Sequence, residues 1–146
     1  MKRFLLSFIL CISLISTTAF ANTNELSVTI NGDILEAPAA PCIVNDRTML
    51  PMRAIFESLG AKVTWKANDQ IIFATKGDTL ITLKINVAEM SVQKALSNEN
   101  IVVPLDCAPF INEGGHTLVP VRAVAEALQA DVQWESETRT VIITTK

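Results

Sequence analysis

One sentence of this chain is written twice. Residues 47–65 read "RTMLPMRAIFESLGAKVTW" and residues 116–134 read "HTLVPVRAVAEALQADVQW". Thr, Pro, Arg, Ala, Glu, Leu, Ala, Val and Trp recur in the same order with no gap. Such repetition constrains architecture more tightly than composition does, because a unit of this size has one apolar face that it cannot bury alone. The two copies are therefore expected to share a single core.

Each copy carries its own punctuation. Pro51 suits the start of a helix and forces Leu50 into extended backbone, so a strand runs straight into a helix. Met52, Ile55, Phe56 and Leu59 then fall on one helical face, as Val121, Val124, Ala125 and Leu128 do in the second copy. Gly60 ends the first helix by taking the left-handed cap. Gln129 stands at the matching place, where a left-handed backbone costs about 1 kcal/mol more than with glycine. Beyond each helix the period changes to two. Val63 and Trp65 alternate with polar residues, as Val132 and Trp134 do, and "QIIFAT" and "TVIITT" follow the polar breaks. Each copy is thus strand, helix, hairpin. Residues 79–85 and 88–93 alternate as two further strands, and residues 94–115 read as loop with a short strand at 101–103.

The first 21 residues have a basic start at Lys2 and Arg3, a short apolar run and small residues at Ala19 and Ala21, the pattern of a secretory signal peptide cut after Ala21. That run is too short for an ordinary span, so no membrane insertion is expected after cleavage. The whole chain has 12 Lys and Arg against 15 Asp and Glu. Losing Lys2 and Arg3 leaves 10 against 15, or −5, which argues against nucleic acid as a partner. Cys42 and Cys107 then remain, an even count in an exported chain. They are read as a disulfide, the alternative being two buried thiols acting as small hydrophobes.

The doubled Pro, Arg, Glu and Trp spacing, with "GDTLITLKI" between the blocks, resembles the copper amine oxidase amino-terminal, or stalk, domain family. The resemblance implies an antiparallel sheet curled around helix, carried as an accessory on bacterial exported proteins. With the repeats it sets the expected fold class as α+β: two strand-helix-hairpin repeats, at about 26–75 and 88–145, forming one mainly antiparallel sheet curled around two short helices. Residues 22–146 are then a single stalk-like domain. The oxidase itself is excluded, since a quinone cofactor needs a tyrosine and copper a cluster of histidines, and this chain has no Tyr and one His.

Four places in the chain carry residues with sharper chemistry. Met49, Met52, His116 and the cysteines contain soft metal ligands, but the methionines fall on core positions and His116 in a glycine turn, so no metal and no cofactor is expected. Cys42 with His116 lacks any orienting group for nucleophilic catalysis. Glu57 and Glu126 could form a glycosidase pair, yet each follows an arginine by four residues, Arg53 or Arg122, the spacing of a helix-surface ion pair. Trp65 and Trp134 are the best ligand platforms, but their alternation with valines favours equivalent, buried anchors. The expected function is a non-catalytic secreted interaction module of the cell envelope, binding cell-wall glycan or an envelope protein. The alternative is a small glycan-acting hydrolase using Glu57 and Glu126.

Overall fold

The computed structural model describes residues 25–146; the expected signal peptide at residues 1–21 lies outside the described residues. The protein is mostly β, with antiparallel sheets, partly curled, and two short helices. In chain order the strands are β1 (Ser27–Ile30), β2 (Asp33–Ile34), β3 (Cys42–Val44) and β4 (Arg47–Pro51), followed by helix α1 (Met52–Ser58). Next come β5 (Lys62–Lys66), β6 (Ile71–Lys76), β7 (Thr79–Lys84), β8 (Glu89–Lys94) and β9 (Glu99–Pro104). The chain continues through β10 (Phe110–Ile111), β11 (Thr117–Pro120), helix α2 (Val121–Ala127), β12 (Asp131–Glu135) and β13 (Thr140–Thr144).

The single sheet expected from the sequence is divided into three. The largest runs β5-β6-β7-β8-β9, antiparallel throughout. A second runs β12-β13-β1-β2, in which β1 lies parallel to β13. The third, β10-β11-β4-β3, arises because the strands leading into the two helices pair with each other, Val119 opposite Leu50. That pairing occupies the lead-in strands and keeps them out of the hairpin sheets. It also holds α1 and α2 in mutual contact.

The helices have seven residues each and no side-chain N-cap. Segments this short are not stable alone, so burial must hold them. Met52, Ile55, Phe56, Val121, Val124 and Ala125 enter one cluster with Ile72, Ile81 and Ile143 from the sheets. Pro51 and Pro120 stand one place earlier than expected, with extended backbone (ψ 127° and 118°), closing the strands just before the first helical residue. Both helices stop in the same way. The N–H of Ala61 donates to the Phe56 carbonyl and that of Gly60 to Glu57; Ala130 and Gln129 repeat this on Ala125 and Glu126. These are the two bonds of a Schellman cap, which needs a left-handed residue at its turn. Gly60 supplies it at φ 80°, and Gln129 is driven there at φ 64°. Gln129→Gly is therefore expected to raise the unfolding free energy by about 1 kcal/mol, read as a later midpoint in urea. Among the described residues, no helix is long and apolar enough to cross a membrane.

Candidate functional site

The strand order leaves β9 at one edge of the five-stranded sheet and β12 at one edge of the parallel-containing sheet. Residues of both strands line one cleft of about 920 Å³, within the range that holds small ligands or a short chain segment. Its apolar lining comes from Met90 and Val92 on β8, Ile101 and Val103 on β9, and Val132 and Val141 on β12 and β13. Alternation explains this face: Met90 and Val92 stand opposite Val103 and Ile101, so all four side chains leave the sheet on the same side. Helix α2 adds Arg122, Ala123, Glu126 and Ala127.

Trp134 also lines the cleft and is 44% exposed. This corrects the expectation of two equivalent buried tryptophans. Trp65, opposite Ile72 as Trp134 is opposite Val141, is half-buried and packs against the main core. The register is the same in both hairpins; the difference is that Trp134 faces the open cleft.

A charged latch forms part of the cleft lining. Nε and Nη2 of Arg47 reach Oδ2 of Asp106 at 2.7 and 2.6 Å, tying the start of β4 to the segment after β9. Both side chains are substantially exposed, so the pair contributes at most about 1 kcal/mol. Its effect is positional, holding Asp106 and Cys107 against β4.

The other candidates separate. Arg53 and Glu57 form the expected ion pair on α1 at 3.6 Å, whereas Arg122 and Glu126 make none among the described residues and line the cleft. Glu57 is not part of that lining, so the two carboxylates do not share this site. Met52 belongs to the main core, while Met49 is buried in a smaller cluster with Cys107 and Leu118. His116 sits in the β10–β11 turn, where its backbone N–H donates to Oδ1 of Asn112 at 2.8 Å. Among the described residues, no three His, Cys, Asp or Glu gather as metal ligands. Cys42 and Cys107, expected as a disulfide, are free thiols here, although the fold brings both to the same small cluster. Contact came from β3 pairing with β4, which places Cys42 opposite Met49.

The sequence singles out Trp134 but not Met90, Ile101 and Val103, which line the same cleft. Their alternation was legible. That β8 and β9 face β12 across a gap was not, since no local pattern encodes it.

The family model described as "Copper amine oxidase N-terminal domain" matches residues 29–143. Over 118 residues the chain is 30% identical to a Brevibacillus choshinensis protein described as "Protease inhibitor", an alignment covering 81% of this chain and 34% of that protein. The chain thus spans about a third of the length of the curated relative it matches. No solved structure matches. The two similarities point to a non-catalytic accessory domain.

Proposed function

The chain belongs to the copper amine oxidase N-terminal domain family, and from that premise we propose a non-catalytic, exported interaction module of the bacterial cell envelope that holds wall glycan or an envelope protein in the cleft beside Trp134. The observation carrying this reading is a large aromatic left exposed over an apolar floor. An indole face with free edges stacks on sugar rings and on apolar or cationic side chains alike.

Retention on purified cell-wall material tests the proposal. Binding without release of soluble fragments supports it. Trp134→Ala should weaken retention at least tenfold while costing less stability than Trp65→Ala, because 44% of the residue is already exposed. Trp65→Ala should do the reverse, costing about 2 kcal/mol through lost burial and sparing retention. Unchanged retention by Trp134→Ala sinks the cleft as the binding surface. Fragment release that disappears with Glu57→Gln or Glu126→Gln would favour the hydrolase instead.

A second reading is favoured by the description of the Brevibacillus relative as a protease inhibitor. In this reading the cleft engages a protease. Loss of proteolysis in a panel of proteases, relieved by Trp134→Ala, would put it ahead of wall binding.

A further inference from the structure

The two cysteines are unequal in a way that bears on their chemistry. Cys42, on β3, is half-buried, whereas Cys107, in the segment between β9 and β10, is only 7% exposed. Both touch one cluster made by Met49, Leu118, Val44 and Phe110, and both are free thiols. Cys42 packs against the cluster that holds Cys107, and burial, then the neighbouring Cys107, push the Cys42 thiol above its ordinary value. Cys107 also belongs to the cleft lining, next to the Asp106 that Arg47 holds.

We propose that Cys42 is a site of S-thiolation by small disulfides and that Cys107 resolves the adduct, closing an intramolecular disulfide that pins one side of the cleft to β3. Access decides the order, since thiol–disulfide exchange requires the attacking sulfur to reach the reagent. Cys42 loses its proton and attacks one sulfur of the reagent RSSR, forming the mixed disulfide Cys42–S–S–R and expelling RS⁻. Cys107 loses its proton and attacks Sγ of Cys42, which forms the Cys42–Cys107 bond and expels the second RS⁻. The two protein thiols are thereby oxidised by two electrons, and RSSR is reduced to two RSH. The second step needs no reagent to enter the cluster, so burial of Cys107 does not oppose it. Because the Cys42 value is raised, its thiolate is scarce at neutral pH. The first step should therefore accelerate roughly tenfold per pH unit until that value is passed.

The test uses the full chain with oxidised glutathione, quenched in acid and weighed, with adducts located by peptide mapping so that the third cysteine, Cys11 within the expected signal peptide, stays out of the count. Wild type should pass through a glutathione adduct on Cys42 and end as a Cys42–Cys107 disulfide without glutathione. Cys107→Ser should accumulate the Cys42 adduct. Cys42→Ser should leave Cys107 unlabelled while folded and label it in urea. An early adduct on Cys107, a folded Cys42→Ser that labels as fast as wild type, or a wild type that stops at the adduct would each overturn the proposal. Early mapping in wild type decides the order even if a serine variant fails to fold. None of these readouts depends on what the cleft binds.

Discussion

Phe56→Ala is expected to lower the unfolding free energy by roughly 3–5 kcal/mol, the range for removing a fully buried aromatic ring and leaving its cavity. Phe56 is 0% exposed and heads the largest fully buried side chains. It lies on the face of α1 that meets the shared core, and its carbonyl accepts the Ala61 N–H of the helix stop. The substitution keeps that backbone bond, so the loss comes from packing. With total stability of small domains at about 5–15 kcal/mol, the variant should survive but unfold at a much lower urea concentration. Phe56→Leu, which refills most of the volume, should cost well under half as much. Equal midpoints for wild type and Phe56→Ala would mean that α1 does not carry the core.

Ile143→Asp should abolish the folded state. Ile143 is 0% exposed on β13, a strand flanked by β12 and β1. Among the described residues only Thr79 is a buried polar side chain, and no buried side-chain polar atom lacks a partner. A carboxylate placed there has nothing to pair with. Burying it unpaired costs several kcal/mol on top of the lost apolar contact, which together exceed a typical stability. The expected result is loss of the cooperative thermal transition, while Ile143→Val, losing one methyl, costs about 1 kcal/mol. A sharp transition in the aspartate variant would show that β13 leaves the core.

Much of the local structure was legible in the sequence. The faces of both helices, the hairpins β5–β6 and β12–β13, and strands β7 and β8 follow from residue periodicity, which is a local property. Gln129 was legible too, because the cap dictates its backbone wherever the helix packs. Strand β3 was missed although Asn45 and Asp46, both with positive φ, mark the two-residue hairpin turn that pairs it with β4. Asn31 and Gly32 do the same between β1 and β2. Strand β9 is longer than residues 101–103 suggested, because pairing along β8 from Glu89 to Lys94 extends it. The division into three sheets had no local signal, and neither did the fate of the tryptophans. Alternation says that Trp65 and Trp134 share a face with valines; it says nothing of what lies over that face. The candidate cleft is therefore a tertiary property whose individual residues were readable and whose assembly was not.

The parallel pairing of β1 with β13 has a consequence for time. Ser27 and Thr140, 113 positions apart, join through their hydroxyls at 2.8 Å, and the ladder continues to Ile30 opposite Ile143. Closing so long a loop costs about 4 kcal/mol of chain entropy before any contact repays it. Hairpins such as β5–β6 close over a few residues and form early. Strand β1 leaves the ribosome first among the described strands, yet its neighbour β13 is made last. Until then Val28 has no strand beside it on that side, and folding waits on a long-range search of the kind that places β-rich domains in the millisecond-to-second range.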